Sequence, residues 1–179
     1  MKDKEIEYKY WAGEMTKDQF TQVVRTLLPE AEERYIVSCD DYYLNEDDDF
    51  VRFRKSHGFF ELTVKRKEDK NVVRQEINLD ISNNDTSSVS TFLNLIGYKR
   101  EFQVYKEAWI WHSDDCDISF YCLADGRCVI ELEATKYQDI KQGVWIINKW
   151  ENDLNLQALQ KEQRSLFEIF LEETRQQKQ

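Results

Sequence analysis

Acidic side chains occur at alternate positions in two separate parts of the sequence. Glu5 and Glu7 form one pair, and Glu131 and Glu133 form the other. Because residues i and i+2 of a β-strand point to the same face, about 6.6 Å apart along the backbone, one hard cation can contact both carboxylates of a pair. Both pairs are therefore candidate ligands for a divalent metal ion.

Basic side chains show the same alternate spacing between these acidic pairs. Arg52 alternates with Arg54, and Lys65 alternates with Lys67. Such a row of donors matches the spaced oxygens of a polyphosphate. A single pair is more typical of a solvated sheet face, but acids for a metal ion together with bases for phosphate favour a polyphosphate site.

Most of the chain that carries these residues alternates between apolar and polar positions, which is the period of a β-strand. The alternation predicts about eight strands, at residues 3–12, 34–44, 50–56, 59–67, 71–81, 98–112, 115–123 and 127–135. One face of each strand is apolar, and the other face often carries charges of both signs. Eight antiparallel strands can close into a barrel, so we predict an α+β fold in which an eight-stranded antiparallel β-barrel is flanked by helices.

Three segments have the apolar period of an α-helix instead. They span residues 16–28, 87–96 and 156–173. Thr16 and Gln19 have the spacing of a capping box, and Pro29 ends the first helix. We expect the last helix to pack its apolar stripe over the sheet, and the rest of the chain to form strands and turns.

The composition limits the class of partner. The 179 residues, 41% of them hydrophobic, suit one domain over residues 1–179. The formal net charge of −10 argues against nucleic acid or an anionic membrane as the partner. No apolar run approaches the roughly 20 residues of a membrane span, and the charged first residues do not resemble a secretory signal, so a cytoplasmic location is expected.

The cysteines and histidines give no sign of a metal or catalytic site by their spacing. The four cysteines are Cys39, Cys116, Cys122 and Cys128. They lack the spacing of zinc knuckles and no export signal accompanies them, so we expect free structural thiols. His57 and His112 are expected at turn or surface positions.

The charged segments occur in an order that resembles a known superfamily. Along the chain they read E-I-E-Y-K at 5–9, D-D-Y-Y at 40–43, V-R-F-R at 51–54, L-T-V-K at 62–65, Arg74 and Glu76, Lys106, I-E-L-E at 130–133, and R-S-L-F at 164–167. This series is similar to the CYTH, or triphosphate tunnel metalloenzyme, superfamily, whose hallmark is E-x-E-x-K on the first strand. The superfamily includes class IV adenylate cyclases, thiamine triphosphatases and inorganic triphosphatases.

The resemblance implies a tunnel in which acidic residues hold Mg²⁺ or Mn²⁺ and basic residues hold a triphosphate. The implied metal ligands are Glu5, Glu7, Glu131 and Glu133, with Glu76 as a further candidate. The implied substrate-binding residues are Lys9, Arg52, Arg54, Lys65, Arg74 and Lys106. Among these residues, Glu5, Glu7, Lys9 and Lys65 are the implied catalytic group.

Two positions depart from the superfamily pattern. The pattern has an arginine where this chain has Ala108, and an aspartate where it has Tyr121. Asp117 shares the strand face of Tyr121 but lies about 13 Å away along the strand, too far to replace that ligand. Arg127 has the same strand parity as Glu131, so we expect Arg127 to point into the tunnel and replace the missing arginine as a substrate-binding residue.

The sequence thus favours a metal-dependent enzyme that hydrolyses a small-molecule triphosphate. The substrate class covers nucleoside triphosphates, thiamine triphosphate and inorganic tripolyphosphate. A class IV adenylate cyclase is one alternative, and a nucleotide- or polyphosphate-binding protein with impaired catalysis is another, motivated by Ala108 and Tyr121. The choice between monomer and homodimer stays open.

Overall fold

The computed structural model describes residues 5–47, 49–66, 73–82 and 86–178, with the backbone alone at 65–66 and 73–76. The strands are β1 (Glu5–Trp11), β2 (Glu33–Leu44), β3 (Phe50–Ser56), β4 (Phe59–Arg66), β5 (Val73–Asp80), β6 (Lys99–His112), β7 (Cys116–Leu123), β8 (Cys128–Ala134) and β9 (Lys161–Glu162). The helices are α1 (Lys17–Leu27), α2 (Val89–Leu95), α3 (Ile140–Asp153) and α4 (Leu166–Gln177). The eight long strands match the eight predicted segments closely.

The long strands form one curled antiparallel sheet in the order β5-β4-β3-β2-β6-β7-β8-β1. A short pairing of β1 with β5, through Glu5–Arg74 and Ile6–Val73, brings the two ends of this order together. The short strand β9 pairs at Lys9 and Tyr10 with the edge of β1 opposite to β8. These pairings confirm the predicted α+β fold with an antiparallel barrel and flanking helices.

The main apolar core lies outside the ring of strands, between β1, β6, β7 and β8 and two helices. On β1, Ile6 and Tyr10 are fully buried and belong to the same cluster as Phe20 of α1 and Ile146 and Ile147 of α3. Burial of each such side chain stabilises the fold by about 1.5–3 kcal/mol. Because these four strands turn their apolar face to the outer core, their opposite face is left to line the interior of the ring.

The last helix, α4, closes one end of the ring. Ser165 caps its first turn by accepting from the Glu168 backbone N–H, and Glu168 bonds back to the Ser165 backbone. Next to this cap, Phe167 stacks on Phe50 with ring centroids 3.9 Å apart and also contacts Tyr42. The helix begins at Leu166 rather than at residue 156 as predicted, and it plugs the barrel end instead of lying over the sheet.

Helix α3 was not expected from the sequence. Asp139 caps it by accepting from the Gln142 backbone N–H at 2.8 Å, and Gly143, Ile146 and Trp150 are buried on its inner face. A glycine and several β-branched residues lower helix propensity in this segment, which hides the helical period. Gly143 is required by packing, because a Cβ there would lie 2.4 Å from Cδ1 of Ile6.

The expectation of four free thiols is wrong for one pair. Cys122 and Cys128 form a disulfide across the β7–β8 hairpin, where the strand register sets them directly opposite each other. Six positions separate them in sequence, and only the hairpin pairing brings them together. Cys39 and Cys116 are free thiols, as expected. Within the described ranges, no helix has both the length and the apolar character needed to cross a membrane.

Candidate functional site

The interior of the ring is a cavity of about 760 Å³. Leu166 and Phe167 at the start of α4 line its base. At the opposite end, Arg34, His57 and Phe59 are exposed to solvent and line the cavity mouth. The cavity therefore has a closed apolar base and a mouth that is open to solvent, and the inward side chains of the strands form its walls.

Strands β1, β7 and β8 form an acidic wall. Glu7 lies directly opposite Glu133 in the β1–β8 pairing, and Asp117 lies opposite Glu133 in the β7–β8 pairing. These three carboxylates, together with Glu5 and Glu131, line the cavity. Opposite residues on neighbouring antiparallel strands have Cβ atoms about 4.5–5.5 Å apart, so the register gathers carboxylates that lie far apart in sequence.

Two polar side chains hold Glu131 within this wall. The Lys9 ammonium group forms ion pairs with Glu7 and, at 3.5 Å, with Oε2 of Glu131. The Tyr121 hydroxyl donates a hydrogen bond of 3.2 Å to the same oxygen. Burial, together with the nearby charge of Glu131, raises the pKa of Tyr121 well above its usual value, so its hydroxyl remains a donor at neutral pH.

Strands β2, β3 and β6 form a basic wall that is organised around one buried carboxylate. Arg54 donates two hydrogen bonds to Asp40, Nε to Oδ1 at 2.8 Å and Nη2 to Oδ2 at 2.9 Å. The Lys106 ammonium lies 3.8 Å from Oδ2 of Asp40. Asp40 is fully buried, and although burial opposes its ionisation, Arg54 and Lys106 hold its pKa below the usual value.

Arg52 extends the basic wall toward β4 and β5. Its Nη2 donates to Oε1 of Glu61 at 3.1 Å and to the Thr63 hydroxyl at 2.8 Å. Thr63 in turn donates to Oδ1 of Asn78 at 2.7 Å. These contacts orient Arg52 along the inner face, so Arg52, Arg54 and Lys106 present a row of cationic donors.

Burial and the nearby charge of Arg54 lower the pKa of Lys106 to about 8. In the ligand-free protein this side chain therefore loses its charge as the pH rises through about 8, whereas a bound phosphate would favour the charged form. We expect the affinity of this cavity for a phosphate-bearing probe, such as Mg²⁺–ATP, to fall between pH 7 and pH 9, with proton uptake on binding. Lys106→Arg, which stays charged throughout, is the matched control, and an identical pH profile in titration calorimetry would contradict this assignment.

The structure brings most of the predicted site residues into this one cavity. Those that line it are Glu5, Glu7, Lys9, Arg52, Arg54, Lys106, Glu131 and Glu133. The backbones of Lys65 and Glu76 lie opposite each other in the β4–β5 pairing, and the backbone of Arg74 lies opposite Glu5. The side chains of these three residues, and Lys67 as a whole, lie outside the described part of the chain. Their predicted roles stay predictions.

Arg127 does not reach the cavity, which corrects the expected replacement of the missing arginine. Its guanidinium donates to both carboxylate oxygens of Glu173 on α4, at 2.6 and 3.0 Å, and to Asp125 at 2.7 Å. It also lies 5.5 Å from the Trp11 ring centre and 5.2 Å from that of Phe170. Arg127 stands at the turn before β8, and its contacts fasten α4 to the barrel.

Several residues of the cavity did not enter the sequence prediction as site residues. Asp40 belongs to the D-D-Y-Y motif and has the strand parity of Ser38, which lines the cavity, but Asp40 itself is fully buried behind Arg54 and Lys106. Glu61 and Asn78 have the inward parity of their own strands. Asp117 was considered only as a replacement for the missing aspartate, and strand register rather than spacing places it beside Glu133.

The acidic wall has the chemistry of a divalent-cation site. Over the described residues, no group of three or more His, Cys, Asp or Glu side chains is already drawn together around one point. The donors themselves fit Mg²⁺ or Mn²⁺, because Glu7, Glu131 and Glu133 supply carboxylate oxygens on adjacent strands. Lys9 forms ion pairs with Glu7 and Glu131, so a cation that bound there would compete with its ammonium group.

Comparison with solved structures finds the same barrel in proteins of low sequence identity. Protein PH1819 from Pyrococcus horikoshii OT3 matches with a TM-score of 0.74 and 22% identity, over 94% of this chain and 99% of that chain. A Vibrio parahaemolyticus protein provisionally named an adenylate cyclase matches with a TM-score of 0.72 and 17% identity, over 93% and 97% of the two chains. HpAC1 from Hippeastrum, described as having a dominant triphosphatase activity, matches with a TM-score of 0.64 and 10% identity, over 94% and 95%.

These likenesses establish the fold. It is the tunnel-like barrel that the order of charged motifs predicted, and the charged interior described above is built on it. No protein-family model and no curated protein matches the sequence.

Proposed function

We propose that this chain binds the triphosphate group of a small molecule inside the barrel and hydrolyses it with the help of Mg²⁺ or Mn²⁺. The observation that carries the proposal is the division of one cavity into an acidic wall and a basic wall. Glu7, Glu131 and Glu133 lie on one side, and Arg54 and Lys106 lie on the other. A metal–triphosphate complex has the matching distribution of charge.

Each wall has a separate part in the proposed reaction. Arg52, Arg54 and Lys106 bind phosphoryl oxygens and hold the phosphate chain in line, which is the main contribution a protein makes to phosphoryl transfer. The glutamates hold the cation, which supplies neutralisation of phosphoryl charge when it is bound. Phe167 and its neighbours close the base of the cavity and exclude bulk water from that end.

Two of the structural matches bear on the reaction type. HpAC1 is described as having a dominant triphosphatase activity, which supports hydrolysis as the first choice. The Vibrio parahaemolyticus protein carries an adenylate cyclase name, so cyclisation of ATP is the second candidate. Binding without turnover is the third candidate, since Ala108 and Tyr121 remove a charged pair from the expected site.

One experiment separates these three candidates. The purified protein is incubated with ATP, thiamine triphosphate or inorganic tripolyphosphate, each with Mg²⁺ or Mn²⁺, and all products are resolved by chromatography. Release of phosphate with formation of a diphosphate supports hydrolysis, whereas cyclic AMP with pyrophosphate supports cyclisation. Tight binding without products would leave only the binding role, and failure to bind any of the three would refute the proposal.

A further inference from the structure

An uncharged strip interrupts the charged lining of the cavity. Ile36 lies opposite Ala108 in the β2–β6 pairing, and Ala108 lies opposite Tyr121 in the β6–β7 pairing. The three side chains therefore form a continuous row across three neighbouring strands, and all of them line the cavity. Ile110, the next inward position on β6, extends this row toward the mouth. We call these four residues the apolar strip.

The apolar strip lies on the mouth side of the basic wall. From base to mouth, Val104 packs with Leu166 and Phe167 beneath the cavity, and Lys106, Ala108 and Ile110, at the following positions of the same parity on β6, line it. On β2 the inward positions follow the same direction, with Asp40 opposite Val104 and Ile36 opposite Ala108. A ligand whose phosphates contact Lys106 must therefore pass the apolar strip on its way out of the cavity.

Charge and solvation decide which ligand suits this arrangement. Inorganic tripolyphosphate carries charged oxygens along its whole length, and those next to Ile36 and Ala108 would lose water without gaining a donor. An organic group attached to the α-phosphate would instead bury apolar surface there. Ile36 and Ile110 are only partly buried, so they leave such surface available.

We propose that the apolar strip receives the organic group of an organic triphosphate, such as a nucleoside or thiamine triphosphate, while the phosphates lie against Lys106 and Arg54. This inference rests on the proposed function and selects one substrate class within it. Ala108, which stands where the superfamily pattern has an arginine, keeps the strip uncharged, because its side chain is a methyl group rather than a guanidinium group. Tyr121 forms the border of the strip, because the Lys106 ammonium lies over its ring, 5.1 Å from the centroid, and its hydroxyl is held by Glu131.

The test compares two unreactive probes that share one phosphate mimic, β,γ-imido-ATP and inorganic imidotriphosphate, by titration calorimetry with Mg²⁺. Thiamine triphosphate is added as a competitor. We expect β,γ-imido-ATP or thiamine triphosphate to bind about tenfold or more tightly than imidotriphosphate. Equal or tighter binding of imidotriphosphate would overturn this inference but leave the proposed function intact. Absence of binding by all three would instead refute the proposed function.

Variants then test whether the apolar strip causes the tighter binding of the organic probe. Ala108→Arg should weaken binding of the organic probe about tenfold and preserve or tighten that of imidotriphosphate. Ala158→Arg, which makes the same substitution at an exposed residue that does not line the cavity, is the matched control and should not change the preference. If Ala108→Arg does not fold, Ile36→Ser should lower affinity for the organic probe alone. Equal losses for both probes in the variant that folds would contradict the inference.

Discussion

Replacement of Glu7 or Glu133 by glutamine is expected to reduce metal-dependent triphosphate turnover by about a hundredfold or more. The two carboxylates lie directly opposite each other on β1 and β8, and both face the cavity. Glutamine keeps the size and shape of the side chain but removes the negative charge and one acceptor oxygen that a hard cation requires. The loss should therefore appear in turnover and in cation affinity together.

Two measurements check this prediction. Initial rates with Mn²⁺ give the effect on turnover, and electron paramagnetic resonance of free Mn²⁺ gives the effect on cation binding. Glu46→Gln, an exposed residue of the turn between β2 and β3, is the matched control and should change neither quantity. A Glu7→Gln/Glu133→Gln protein that keeps wild-type Mn²⁺ affinity would rule out the acidic wall as the metal site.

The barrel could be predicted because strand alternation separates two faces in almost every strand. Ile6 and Tyr10 alternate with Glu7 and Lys9, and the structure buries the first pair in the outer core while the second pair lines the cavity. Strand order was not available from alternation; the resemblance implied a tunnel, and the strand pairings of the structure give the order. The fold and most of the candidate site thus follow from local patterns.

Strand alternation gave the wrong direction for a residue that precedes a strand. Arg127 has the parity of Glu131, but it lies in the turn before β8, and its backbone N–H is bound to Asp125. The alternation of side chains holds only within paired extended backbone, so Arg127 turns outward to α4. The same hairpin sets Cys122 opposite Cys128, a register that the spacing of the four cysteines along the sequence does not indicate.

The sequence also did not predict which side chains contact each other across neighbouring strands. The pairing of Asp40 with Arg54 and Lys106 depends on the registers of β2 with β3 and of β2 with β6. The same is true of Ala108 and Tyr121, which count as two separate departures in sequence but form one cross-strand pair in the structure. A small and a large uncharged side chain here stand where the superfamily pattern has an arginine and an aspartate.

Replacement of Asp40 is expected to have a large effect on stability, because Asp40 pairs with both Arg54 and Lys106 of the basic wall. Asp40→Asn should lower the free energy of unfolding by about 3 kcal/mol at pH 7, since it leaves Arg54 and Lys106 without their buried counter-charge. The folded pKa of Asp40 is depressed, so its stabilisation is present above the unfolded pKa of about 3.9 and is lost as the pH falls below that value. The difference between wild type and variant in urea unfolding should therefore shrink in acid.

Ligand binding distinguishes this role from a general loss of stability. Phosphate oxygens can replace the missing carboxylate beside Arg54, so inorganic tripolyphosphate or ATP with Mg²⁺ should raise the melting temperature of Asp40→Asn more than that of the wild type. Asp41→Asn is the matched control, because Asp41 is equally buried but points to the other face, where it pairs with Lys55 and Arg100. That variant should lose stability and keep a wild-type ligand response. Identical ligand-induced shifts in the two variants would mean that Asp40 does not organise the phosphate-binding wall.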